Sequence, residues 1–223
     1  MSDHMSKAIL VAGGQTESGT AVSVVLDEAR TTQYVIVGVD GGTDAALALD
    51  LSPTLVIGDM DSISPYILAT VEAQYIELIR HPPEKDETDL ELALIEVTQR
   101  GVSWIRILGA IGNRLDQTIA NIYLLGLPML DGIDVKLVAG EQTTSLIHTG
   151  THQLMGEIGD TISLIPFNAD AQGITTNGLK YPLKDETLRL GPARGVSNVI
   201  ISPKPSVTLK HGQLLVIHTV GRA

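Results

Sequence analysis

Short apolar runs alternate with amphipathic stretches along the first 140 residues. Runs at 8–12, 34–39, 54–57, 75–79, 104–108 and 135–138 carry too few polar positions to face water, and predict buried strands. The intervening stretches 21–30, 44–49, 65–73, 88–100 and 115–125 predict helices. Strand and helix in alternation, joined by short connections, predict an α/β unit: a mostly parallel sheet with helices on both faces. Ligands of such sheets collect beyond the carboxyl ends of the strands.

Beyond Gly140 the helical rhythm stops. Short β-rich runs at 145–148, 161–166, 188–190, 197–201 and 214–220 are separated by Gly159-Asp160, Asn177-Gly178, Gly191-Pro192 and Pro203-Lys204-Pro205, all turn signals. They predict a C-terminal all-β sandwich, so the expected division is an α/β domain over 1–140 and a β-sandwich over 141–223.

Composition narrows the functional classes. With 43% hydrophobic and 18% charged residues in 223, the chain is expected to fold. A net charge of −11 and 3% aromatic residues argue against nucleic acid, which needs a basic footprint and stacking platforms. Zero cysteines exclude disulfides and thiolate sites and fit a reducing, cytoplasmic setting. The sequence has neither a long apolar stretch nor a basic, apolar leader, so a soluble, unexported protein away from membranes is expected. The opening Met1-Ser2-Asp3-His4-Met5 reads as an added leader, with Met5 the natural start.

Acidic residues gather where strands end. Asp40-Gly41-Gly42 follows the second strand, and Gly58-Asp59-Met60-Asp61-Ser62 follows the third. If that segment stays extended, Asp59 and Asp61 point the same way, roughly 6.5–7 Å apart, and can share a hard cation. The alternative is a turn in which the aspartates bond their own backbone. Next, His81-Pro82-Pro83-Glu84-Lys85-Asp86-Glu87-Thr88-Asp89 leads into a helix, with Thr88 and Glu91 in capping-box spacing. Capping leaves Asp86, Glu87 and Asp89 unexplained as neighbours, and Mg²⁺ is the cation that suits them. Finally, Gly109-Ala110-Ile111-Gly112-Asn113-Arg114-Leu115-Asp116 joins a strand to a helix. Its small residues and helix start suit an anion, and Arg114 adds a forked phosphate donor. Together these point to Mg²⁺-assisted phosphoryl transfer on a nucleotide. His148 and His152 read as ordinary surface or core residues, and no Gly-x-Ser-x-Gly elbow supports a serine hydrolase.

Those four segments, with Gln117 and Asn121 after the last, resemble the thiamine pyrophosphokinase family. The later Gly178-Leu179-Lys180-Tyr181-Pro182-Leu183 and Val196-Ser197-Asn198 are similar to its second-domain signatures, so the match runs in order through nearly the whole chain. The resemblance implies transfer of pyrophosphate from ATP to thiamine, giving thiamine diphosphate and AMP, with Mg²⁺ required. It implies that Asp59, Asp61, Asp86 and Asp89 serve catalysis and the metal. It assigns Asp40, Lys85, Thr88, Gly112, Arg114 and Asp116 to the nucleotide, with Asp116 supporting the glycine turn or orienting Arg114. It also implies a homodimer in which Tyr181, Ser197 and Asn198 reach thiamine across the subunit interface. Four positions depart from the family pattern: Thr43-Asp44 where Ala-Asn is common, Gln117 where His is frequent, and Val196 for Thr. The rival readings are a sister pyrophosphokinase acting on a pterin-like alcohol and a non-catalytic sensor of thiamine diphosphate or nucleotide.

Overall fold

A computed structural model describes residues 6–32 and 34–222. The opening Met1 to Met5, read above as an added leader, lies outside the described residues. One compact unit ends at Gly140 and a second begins at Glu141.

The first unit contains strands β1 (Ser6–Val11), β2 (Val35–Val39), β3 (Leu55–Gly58), β4 (Glu77–Arg80), β5 (Val102–Leu108) and β6 (Asp134–Ala139). Between them run helices α1 (Thr20–Thr31), α2 (Gly42–Ala48), α3 (Pro65–Ala73), α4 (Asp89–Gln99) and α5 (Leu115–Leu124). The strands lie in the order β4-β3-β2-β1-β5-β6, and every neighbouring pair is parallel. Ala8, Ile9, Leu10 and Val11 have no exposed surface, which is what burial on both faces of a central strand demands. On one face α1 sets Ala21, Val22 and Val25, with Ala46 of α2, against Ile9, Val11, Leu108 and Val138. Helix α4 packs on β2, β3 and β5 through Leu90, Ala93, Leu94 and Val97, one stripe at helical spacing. Because the chain moves from β1 to one side and returns to β5 on the other, the strand order reverses between them. That reversal opens a crevice at their carboxyl ends.

The second unit contains β7 (Gln142–Ile147), β8 (Gly150–Gln153), β9 (Thr161–Pro166), β10 (Ala171–Asn177), β11 (Glu186–Leu188), β12 (Asn198–Val199), β13 (Ser206–Leu209) and β14 (Leu214–Thr219). Antiparallel pairs join β7-β14-β9-β12 and, separately, β11-β10-β13-β8. Alternate residues such as Ile162, Leu164, Leu214 and Val216 meet Ile174, Val207 and Leu209 in one core, which is a sandwich.

The structure adds strands β8, β10 and β13 to the sequence reading and shifts several element bounds by a few residues. The run expected at 188–190 lies two residues earlier, as Glu186–Leu188, and Leu190 is exposed. β10 was hidden because Gly173 interrupts it at φ +68°, where the register against β11 shifts. No helix among the described residues is long and apolar enough to cross a membrane.

Candidate active site

A cleft of about 760 Å³ opens at the carboxyl ends of β1, β2, β3 and β5. Gly13, Gly14 and Gln15 line it after β1, Asp40 after β2, and Asp59 and Ser62 after β3. Lys85, Thr88 and Asp89 come from the approach to α4, and Gly109, Gly112 and Arg114 from the loop after β5. The crevice is therefore the one the strand order creates.

Its acidic side is set by tight backbone turns. Asp40 takes a left-handed conformation at φ 45°, which aspartate tolerates better than most residues. This lets its N–H donate to the Ile57 carbonyl at 2.8 Å while its own carbonyl accepts from the Thr43 N–H at 2.9 Å. Gly58 is needed beside it: at φ +151° its α-carbon lies so near that an added Cβ would stand 2.8 Å from Asp40 Cβ. Asp59 follows directly. Asp89 is the first residue of α4, whose dipole favours a carboxylate there. Thr88 caps that helix by accepting the Glu91 N–H at 3.2 Å, as its spacing predicts.

One carboxylate oxygen each from Asp40, Asp59 and Asp89 lies within 4.8 Å of the others, a group able to hold a metal ion. The ammonium of Lys85 sits at this cluster, 2.8 Å from Asp89 Oδ1 and 3.9 Å from Asp59 Oδ2. It also donates to the Pro82 carbonyl at 3.3 Å. The bond to Asp89 holds this ammonium above its usual pKa against the opposing effect of burial, and the charges of Asp59 and Asp40 add to the upward shift.

The expectation that Asp59 and Asp61 share a side of an extended segment is corrected. Met60 lies at φ 70°, so the chain turns, and the Asp61 N–H donates to Asp59 Oδ1 at 3.1 Å. Asp61 is left exposed, accepting from the Ser62 hydroxyl at 2.8 Å, and Asp86 is exposed as well. The structure thus groups Asp59 and Asp89 with Asp40, and leaves Asp61 and Asp86 outside.

The opposite side is glycine-rich. The Gly14 N–H donates to the Gly109 carbonyl at 3.0 Å, tying the loop after β1 to the loop after β5. A Cβ on Gly14 would collide with that carbonyl. Asn121, buried in α5, donates to the Ala110 carbonyl at 2.8 Å, and the Thr118 hydroxyl accepts the Gly112 N–H at 3.1 Å. Thr118 was missed in the sequence. Its only signal is a threonine one turn into the helix that follows the glycines. At the rim, Asp116 grips Arg114 through two bonds of 2.9 and 2.6 Å. The Arg114 bond is the main cause that holds the Asp116 carboxyl at about 2, so the pair stays charged through any ordinary assay pH.

Thr43 is fully buried, and Asp44 accepts the Ser64 N–H at 3.3 Å, which anchors the start of α3. This departure from the family pattern therefore has a structural use here.

In the second unit, Tyr181 is 60% exposed and its ring lies 5.4 Å from the Lys180 ammonium. Asn198 is buried and clasps the Tyr181 backbone, accepting its N–H at 2.9 Å and donating to its carbonyl at 2.7 Å. Ser197 stands at φ 60° and its N–H donates to Ser163 Oγ at 3.0 Å. His148 and His152 serve local structure: His152 Nε2 lies 2.8 Å from the His148 carbonyl.

The sequence profile described as thiamin pyrophosphokinase, catalytic domain, matches residues 26–137, and that of its vitamin B1 binding domain matches residues 151–214. Thiamine pyrophosphokinase of Bacillus subtilis (strain 168) is 31% identical over 184 residues, 82% of this chain and 86% of the relative. The crystal structure of thiamine pyrophosphokinase from Bacillus subtilis superposes with a TM-score of 0.84 at 28% identity, covering 96% of this chain and 99% of that one. A thiamin pyrophosphokinase family protein from Enterococcus faecalis gives 0.83 at 28% identity, over 97% and 100% of the two chains.

Proposed function

The chain belongs to the thiamin pyrophosphokinase family, and from that premise we propose that it transfers pyrophosphate from ATP to the hydroxyl of thiamine, giving thiamine diphosphate and AMP. One observation carries the reading for this chain's own residues. Asp40, Asp59 and Asp89 converge across a crevice from two glycine-rich loops and Arg114. Acids on one side and anion donors on the other suit a metal-bound triphosphate.

Mg²⁺ fits the acid cluster: three hard carboxylate oxygens lie within 4.8 Å, and the buried Asp89 Oδ1 meets only the Lys85 ammonium among the described residues. Asp40, Asp59 and Asp89 would hold it. When bound, it supplies neutralisation of the triphosphate and of charge building on the departing AMP. Lys85 and Arg114 take phosphate oxygens, Asp116 keeps Arg114 aimed, and Thr88 and Gly112 shape the walls. In the reaction the thiamine oxygen bonds to the β-phosphorus as the bond from that phosphorus to the AMP oxygen breaks, and the hydroxyl proton passes to a carboxylate of the cleft. Positioning and electrostatics supply most of the acceleration.

The exposed Tyr181 ring offers a flat face for the thiazolium cation, and Asn198, with Ser197 beside it, holds the Tyr181 loop in place. A cytoplasmic homodimer, with these residues serving the partner's cleft, belongs to the same proposal.

The test is AMP release from MgATP with and without thiamine, with identification of the thiamine product. AMP and thiamine diphosphate in equal amounts, both abolished by EDTA, are expected. AMP formation only with a pterin alcohol, or thiamine diphosphate binding without turnover, overturns the assignment.

A further inference from the structure

We infer that Lys85 acts as an internal cation at the acid cluster and makes metal binding there conditional on nucleotide. The inference rests on the metal reading proposed above. Lys85 is a positioning residue in this role, acting through Asp89 and Asp59.

Three carboxylates this close repel one another unless a positive charge sits among them. The Lys85 ammonium already supplies it, 2.8 Å from Asp89 Oδ1 and 3.9 Å from Asp59 Oδ2. Its side chain is only 11% exposed, against 71% for Arg114, so its charge is poorly screened by water. The bond to the Pro82 carbonyl, next to the stiff Pro82-Pro83 pair, tethers it there. A dication approaching without nucleotide therefore meets a resident cation paired to two of the same carboxylates.

A triphosphate changes that balance because it offers Lys85 a second anion. Once the ammonium turns to phosphate, Asp89 Oδ1 is free for the metal. Arg114 is not equivalent: it is exposed, and Asp116 already holds it by two bonds. Metal and nucleotide thus enter together, and bare metal is disfavoured. This prevents the carboxylates from being held by a cation when no substrate is present.

Mn²⁺ affinity, read by electron paramagnetic resonance on the full chain without nucleotide, tests this. Lys85→Met should bind Mn²⁺ at least about tenfold more tightly than the native protein, because a repelling charge about 4 Å from the site is gone. Lys85→Arg, which keeps the charge, should bind as weakly as native. Asp59→Asn added to Lys85→Met should remove the gain. Circular dichroism checks folding, and Lys85→Gln replaces the methionine variant if that one does not fold. Equal Mn²⁺ affinity in native and Lys85→Met proteins overturns the inference while leaving the metal reading intact. Absence of Mn²⁺ binding in every variant, even with a non-hydrolysable ATP analogue, overturns both.

Discussion

The two units of this chain use buried and half-buried polar groups in opposite ways. In the first, Asp40, Asp59 and Asp89 turn toward one another and toward an open cleft, with a lysine as their shared counter-ion. In the second, the buried Asp160 turns toward backbone. It accepts the Gly221 N–H at 2.7 Å and the Glu157 N–H at 2.9 Å, and meets His218 Nε2 at 2.7 Å. Asn198 does the same for the Tyr181 loop. The lesson is that parallel strands buried on both faces confine polar chemistry to their ends, where turns can aim it. A sandwich of short strands instead needs polar side chains to satisfy the irregular backbone between them.

If that contrast is right, damage to the acids of the first unit removes activity and spares the fold, and damage to Asp160 in the second does the reverse. The largest effect should come from Asp59→Asn, with thiamine-dependent AMP release falling by about a thousandfold and the melting temperature unchanged or slightly raised. Near-native turnover would remove Asp59 from the metal set. Asp160→Ala should follow, costing about 3 kcal/mol in urea unfolding because two N–H groups lose a buried acceptor. An unaltered midpoint would break the comparison from the other side.

Asn198→Ala should cost about 2 kcal/mol by orphaning the Tyr181 N–H and carbonyl. Its effect on thiamine KM sharpens the contrast: a rise larger than the effect on kcat would show the clasp acting through Tyr181. Arg114→Ala is expected to raise the KM for ATP about tenfold with little change in stability, since the pair is exposed.

The smallest effect concerns pH. Burial pushes the Asp160 carboxyl up, but the N–H groups of Glu157 and Gly221, with His218, together hold it below the usual carboxylate range. Its folded pKa is thus below its unfolded one. The carboxylate's contribution is complete above the ordinary carboxyl pKa of about 3.9 and is lost as pH falls through the folded value. The drop in urea midpoint from pH 5 to pH 3 should be shallower in Asp160→Asn than in the native chain, and equal slopes would deny the linkage.

The two units also differed in how readily they could be read. All six strands and five helices of the first were visible, because runs such as Ala8 to Val11 are apolar without interruption and α4 carries a helical stripe behind a threonine cap. In the second, β14 was visible as an apolar run and β9 as an alternating one, and the runs at 145–148 and 197–201 caught β7 and β12 in part. The sheet of β8, β10, β11 and β13 was mostly hidden: Gly150-Thr151-His152-Gln153 shows no alternation, and Gly173 breaks β10. Such strands form because a partner sheet buries one face of them, and a local window does not contain that partner.

For the site, the segments that carry chemistry and their order were legible, as were Asp59, Lys85, Asp89, Gly112 and Arg114 as cleft residues. Sequence alone determined which residue types stand at the strand ends, and hence the family, because those choices are local and survive in linear order. Only the tertiary structure decided which acids meet. Neighbours in sequence, Asp59 and Asp61, part at a left-handed Met60, while Asp40, Asp59 and Asp89 come together from the ends of β2 and β3 and the start of α4. The physical reason is that a turn's sign depends on backbone bonds to distant strands, such as the Asp40 N–H to the Ile57 carbonyl, and no spacing along the chain encodes them.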